Sequence, residues 1–323
     1  MNRIAAALVV VVTLTAASSA FASTDSAGGA GAYLKLGVGA RALGQGGAFT
    51  AVADDTTAIF WNSAGLQTIG KAEATGMHAN LNIDRSYDFL AYSSPLNQNS
   101  SWGFAYTRFS IDGIPLTKER TDGSGNPQLT DDLYDGSGNW TGAGPGAGDV
   151  RVFGQFDDVE DNFTLSYSRK MRDKINVGAN LRILQQKLYD SSATGFGMDL
   201  SALYRYSNKL NFGVSVRDLF EKLDFGSGKR TETIPVTATA GVAYKGPKQI
   251  RFALDLAKVQ NEDVALRVGA EKWFKKQYGL RFGSNDGDFS AGASVKWSEW
   301  QFDYAYQTQE LGDIQRLSFV KRF

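Results

Sequence analysis

The residues best suited to chemistry are few. His78 is the only histidine and there is no cysteine, so a polyhistidine or thiolate metal site and any disulfide are excluded. A Ser-His-Asp arrangement is conceivable on paper, but no motif surrounds His78. It alternates with Asn80, Asn82 and Asp84, which reads as the polar, lumen-facing side of a strand. The glycines of Gly37–Gly47 are spaced G-x-G-x-x-x-x-G, not G-x-G-x-x-G, and no βαβ pattern encloses them, so a dinucleotide loop is rejected. The pentapeptide DGSGN occurs at Asp122–Asn126 and at Asp135–Asn139. It reads either as a paired Ca²⁺ or ligand loop or as two turns of residues that favour positive φ, and neither copy completes an EF-hand. No catalytic residue, cofactor or metal is expected, and the chain is not read as an enzyme.

Composition narrows the class. The 323 residues carry 34 basic and 34 acidic side chains, so no basic excess argues for a nucleic-acid partner. Mean hydropathy is −0.26, too polar for a bundle of membrane helices. Residues 1–22 read as a secretory signal peptide. Arg3 supplies the positive start, Ile4 to Val12 opens the apolar core, and Ala20-Phe21-Ala22 fits small-x-small cleavage. A transmembrane anchor needs about 20 apolar residues, longer than this run. A leader over 23–31 opens a segment of leader and plug spanning 23–72, and residues 73–323 form the remainder.

That remainder reads as strands. Fourteen are expected, at roughly 73–84, 86–94, 101–111, 159–171, 174–189, 193–206, 209–217, 234–245, 248–258, 264–274, 277–284, 288–297, 299–308 and 315–323. Phe252, Leu254 and Leu256 oppose Arg251, Ala253 and Asp255. Trp300, Phe302, Tyr304 and Tyr306 oppose Gln301, Asp303, Ala305 and Gln307. Apolar-out, polar-in segments of about ten residues are the signature of a transmembrane β-barrel. The alternative is a soluble sandwich with one wet face per sheet. Turn lengths favour the barrel. Connections after even strands are short, such as Arg172-Asp173 and Lys275-Lys276, while the two longest, Asp112–Asp158 and Asp218–Thr233, follow odd strands. The chain is therefore expected to be all-β, in the outer membrane of a Gram-negative-type bacterium, with outer-membrane lipid around it.

About fourteen strands enclose more space than wall side chains fill. The stretch Tyr33–Leu66, crowded with Gly and Ala and without period-2 alternation, is expected to plug it. Two short helices, Ala42–Ala53 and Thr56–Trp61, are expected there, joined at Asp54-Asp55, whose carboxylates can cap the second. Arg182, Arg205, Arg217, Arg251, Arg267, Arg281 and Lys296 share the expected lumen face with Asp199, Asp255, Glu271 and Asp303. They form either a polar lattice tying plug to wall or a charged passage. Phe49, Ile59, Phe60 and Trp61 could line an apolar ligand pocket or simply pack the plug on the wall. In the long external segment, Leu129, Leu133, Tyr134 and Trp140 could bind a protein. The chain ends on Phe323, with Phe319 and Leu317 on the same face, which resembles the signal read by the barrel assembly machinery. Lys321 shares that face and departs from the pattern.

The run KLGVGARALGQGGAFTAVADDTTAIFWNSAGL resembles the N-terminal signature of the PorV/PorQ proteins, a branch of the FadL-like outer-membrane barrels. The match is carried by GAxALGxGGAF, then AVADD, then WN-x-AGL, over about a tenth of the chain. The resemblance implies fourteen strands and an N-terminal plug, with Gly44, Gly46, Gly47, Asp54, Asp55, Asn62, Ser63 and Ala64 as the gate motif. The family tripeptide Asn-Pro-Ala stands here as Asn62-Ser63-Ala64, which frees φ at that turn. Two functions are implied. FadL-like barrels pass hydrophobic small molecules such as fatty acids or hydrocarbons. PorV/PorQ proteins serve type IX secretion, binding secretion-system proteins.

Overall fold

The computed structural model describes residues 31–81, 84–119, 150–226, 231–309 and 312–323. The signal peptide, both DGSGN copies and the four loop aromatics and leucines named above fall outside them. The strands are β1 (Glu73–Leu81), β2 (Arg85–Asn97), β3 (Ser100–Glu119), β4 (Val150–Arg172), β5 (Ile175–Leu188), β6 (Ser191–Arg205), β7 (Leu210–Asp224), β8 (Thr231–Thr233), β9 (Thr237–Lys245), β10 (Arg251–Val259), β11 (Val264–Phe274), β12 (Tyr278–Asn285), β13 (Asp288–Trp297), β14 (Trp300–Gln307) and β15 (Ile314–Arg322). Each pairs antiparallel with its neighbour. β7 pairs with β9, and β8 is a three-residue addition along the end of β7. β1 pairs with β15 from Glu73↔Arg322 to Asn80↔Gln315, which closes a barrel of fourteen strands and leaves no sheet edge. No helix among the described residues is long and apolar enough to cross a membrane. The crossing is made by strands, whose backbone groups are satisfied only in such a closed ladder.

Side-chain alternation sorts the two faces. Phe252, Leu254, Leu256, Phe282 and Phe302 are exposed outward, and Asp255, Arg281, Ser290 and Gln301 are buried inward. The expected sorting of turns is present. β4 and β5 are joined by Asp173-Lys174, and β13 and β14 by Ser298-Glu299. The second turn is shorter than the sequence suggests. Pro95 lies inside β2, tolerated by a register shift between Pro95 and Asn97 at the strand end, so only Gln98-Asn99 connects β2 to β3.

Two expectations change. β3 and β4 are 20 and 23 residues long, far longer than the 8 of β12 and β14. Their ladder continues past Ile111↔Asp158 to Glu119↔Val150 through two register shifts. Beyond the lipid the apolar alternation disappears while main-chain pairing goes on, so the sequence there reads as loop. In β1 the faces are reversed. Glu73, Thr75, Met77, Ala79 and Leu81 are buried inward, whereas His78 is exposed outward, its Nδ1 2.7 Å from Asp88 Oδ1. The lumen at this level is filled by the plug, Gly39 N–H donating to Met77 Sδ at 3.1 Å, so an apolar face points in. For the same reason Phe89 and Ala91 point inward in β2, and Leu90 and Tyr92 outward.

Candidate functional site: the plug and the lumen

Residues 31–72 run through the barrel from its external to its periplasmic end. A 3₁₀ turn, Ala32–Lys35, sits at the external end, where Tyr33 stacks on Phe109 at 5.8 Å. Below it lie two one-turn helices, α1 (Ala40–Leu43) and α2 (Ala58–Trp61). A second 3₁₀ stretch, Ser63–Thr68, reaches the periplasmic turn, Gln67 Nε2 donating to Gln98 O at 3.0 Å. The expected helix over 42–53 is replaced by α1 and tight turns, because Gly46 and Gly47 take φ of +66° and +70°, values that end a helix and favour glycine. Asp55 Oδ1 accepts from the Thr57 N–H at 3.0 Å just ahead of α2. Asp54 does not cap.

The wall meets this backbone with glycines. A methyl group at Gly178 would overlap Ser63 and Ala64, one at Gly213 would overlap the Thr50 carbonyl, and one at Gly269 or Gly283 would overlap Gln45. Gly46 in turn lies on the backbone of Ser284, and Gly44 packs against Arg281 and Gly292. These wall positions are inward sites of β5, β7, β11 and β12, and sequence reasoning passed over them as ordinary lumen residues.

Arg41, which sequence reasoning also missed, is the hub of one ionic cluster. Its Nε and Nη2 donate to the two carboxylate oxygens of Glu271 at 2.8 and 2.9 Å, and its Nη1 to Asp54 and Asp55 at 2.6 and 2.8 Å. Arg251 Nη1 donates to the other oxygen of Asp54 at 2.8 Å. Burial would raise the Asp54 carboxyl, but Arg41 and Arg251 hold it well below the usual carboxylate range. Arg281, wholly buried, pairs with Asp303 at 3.3 Å and lies 3.7 Å from Glu271. Farther along the lumen Arg182 pairs with Asp199 at 3.3 Å, with Asp218, and with Glu221 at 3.5 Å.

Plug residues, those of the gate motif among them, bond directly to the wall. Asp255 Oδ2 accepts from the N–H groups of Phe49 and Thr50 at 3.0 and 2.9 Å. Asn62 Nδ2 donates to Thr50 O at 2.8 Å and Ala202 O at 3.1 Å, and its Oδ1 accepts from Ala64 N–H at 3.2 Å. Ser63 Oγ lies 2.9 Å from Ser201 Oγ, a tether that proline could not make. Glu73 accepts from Thr56 N–H at 2.7 Å and from Arg322 Nε at 2.9 Å, joining plug to barrel seam. Among the described residues, every backbone-to-backbone hydrogen bond made within 31–69 stays inside the plug.

Of the aromatics, Phe49 and Trp61 are buried and Phe60 is half-buried. Arg41 lies over Phe49 at 5.3 Å, Arg217 over Phe60 at 4.3 Å and Arg267 over Trp61 at 5.9 Å. The space at Ile59 and Phe60 is a cavity of about 10 Å³. A larger cavity of about 210 Å³ lies above, at the external end, and one of about 170 Å³ below, beside Asp54 and Arg251. Phe323 is exposed on the outer wall, with Lys321 Nζ 5.2 Å from its ring and 5.0 Å from that of Trp300. Among the described residues no three His, Asp or Glu side chains converge to hold a metal ion.

No protein-family model matches the chain, and no curated protein matches it. Solved structures do. The Ralstonia pickettii toluene transporter TbuX aligns at 14% identity over 89% of this chain and 98% of its own, with a TM-score of 0.60. The P. putida toluene transporter TodX aligns at 12% identity over 89% and 99%, with a TM-score of 0.59. A Pseudomonas aeruginosa FadL homologue aligns at 13% identity over 86% and 96%, with a TM-score of 0.54. At such identities the likeness is one of fold alone, a closed antiparallel β-barrel that this chain shares with these outer-membrane transport proteins.

Proposed function

We propose that this barrel passes hydrophobic small molecules across the outer membrane, with the segment 37–66 as its gate. One observation carries the reading. The plug fills the lumen yet shares no backbone ladder with the wall, so it can shift without unzipping a strand. What holds it is side-chain bonding and glycine notches, which can be broken and re-formed. Support also comes from the toluene transporters to which the fold is similar. Because the space beside Phe60 is only about 10 Å³, passage in this reading requires the plug to move. No residue is given a catalytic role.

The absence of cysteine makes the test direct. A Ser63→Cys/Ser201→Cys pair places two sulfurs where the hydroxyl oxygens are now 2.9 Å apart. In proteoliposomes, uptake of toluene or oleate is expected to stop on oxidation and to return with a reductant. Uptake indifferent to the disulfide, or absent from the unaltered protein, would falsify the reading.

A second reading rests on β3 and β4, whose paired extension stands beyond the height of the other strands. That extension, together with the PorV/PorQ-like motif, fits a secretion-system adaptor that binds protein partners at its external end. In either reading Phe323 serves recognition by the barrel assembly machinery.

A further inference from the structure

The lumen arginines divide into two sets. Arg41, Arg182, Arg251 and Arg281 are each ion-paired to carboxylates. Arg217 and Arg267 enter no ion pair among the described residues. Arg217 is 7% exposed and lies over the ring of Phe60. Arg267 lies over Trp61 and spends one N–H on Asn285 Oδ1 at 3.0 Å. Stacking occupies the face of a guanidinium and leaves its in-plane donors available. Both line the external cavity of about 210 Å³. Its other charged groups are accounted for: Asp218 is paired with Arg182 and Glu262 with Lys35, while Asp263 and Asp286 are exposed at the rim. The remaining lining includes Leu34, Ile234, Pro235, Ala257 and Val259. Arg217 is nearly buried without an ion-pair partner, which is costly; Arg267, half-buried beside it, feels the carboxylates of Asp255 and Asp286 without forming an ion pair to either, and the two guanidiniums on one cavity wall are a receptor for an anion. For scale, an apolar cavity of about 150 Å³ admits a benzene ring.

We propose that this cavity binds a ring-sized organic monocarboxylate, its carboxylate held between Arg217 and Arg267 and its ring against the apolar lining. This deepens the passage reading and rests on it for transport, since it names the chemical class selected at the external mouth.

Equilibrium binding to the protein in nanodiscs tests it, with radiolabelled benzoate as probe and benzamide as the neutral isostere. Benzoate is expected to bind saturably, and benzamide at least about tenfold more weakly, since charge-assisted hydrogen bonds to both arginines are lost. Arg217→Gln with Arg267→Gln should weaken benzoate by the same factor or more. Should that variant not fold, the benzoate–benzamide comparison in the unaltered protein decides alone. Equal binding of the two, displacement of benzoate by equimolar sulfate, or no saturable benzoate binding overturns the site. Toluene uptake without benzoate binding would sink this site and leave passage standing. Benzoate binding without uptake of any hydrophobic probe would do the reverse.

Discussion

A methyl group added at Gly213 or Gly283 would overlap the plug backbone at Thr50 or Gln45, so neither Gly→Ala change can be absorbed by a side-chain rotation. Each is expected to lift the plug from the wall and raise conductance in planar bilayers without unfolding the strands. Unaltered conductance in both would count against the notches as plug seats. Glu271→Ala removes the bidentate partner of the buried Arg41 and is expected to cost about 3–5 kcal/mol, read as a lower transition in denaturant. The Asp54 carboxyl is held below its usual range in the folded protein. Its stabilisation is therefore complete above the unfolded value of about 3.9 and is lost as pH falls further toward the folded value. Conductance should stay flat from neutral pH to about pH 4 and rise below it, and Asp54→Asn should flatten that rise. A sequence shows Asp255 or Arg281 as an inward polar residue because strand alternation says so. It does not show that Gly178 or Gly269 is a notch, because a glycine is silent about what presses on it. Arg41 was equally hidden, a single charge within a run of small residues.

At the scale of elements, most strands were legible from the alternation of lipid and lumen faces, as β10 and β14 illustrate. β1 was misread because the rule equates lumen with polar, and Met77 and Ala79 face a plug that is itself apolar there. The upper parts of β3 and β4 were misread because alternation reports lipid contact, not pairing. From this follows a separable hairpin. Removing residues 114–156 and joining the strands with a short turn should leave the barrel folded, as judged by heat-modified mobility in SDS gels, because the register already breaks between Ile111 and Ile114. In the adaptor reading the same trimming abolishes capture of a partner protein, whereas uptake of hydrophobic probes is unchanged.

For the whole molecule, a net charge of zero conceals an axial separation. The periplasmic turns carry Lys174, Lys209, Lys248, Lys275 and Lys276 against the acids Asp173 and Glu299, and the external ones Asp84, Asp190, Asp263 and Asp286. In neutral detergent at pH 7 the protein is expected to bind a cation exchanger despite a pI near 6.6. Lys275→Glu/Lys276→Glu should shift elution to lower salt. The plug has a direction as well. It is continuous with the wall at Glu73, which bonds at once to Thr56 of the plug and Arg322 of the last strand. The segment is thereby leashed at the periplasmic mouth, while its 3₁₀ turn at Ala32–Lys35 stands at the external one. In the passage reading, this leash lets the segment be drawn down but not pushed out. In that reading a solute arriving from outside meets a valve that yields only inward.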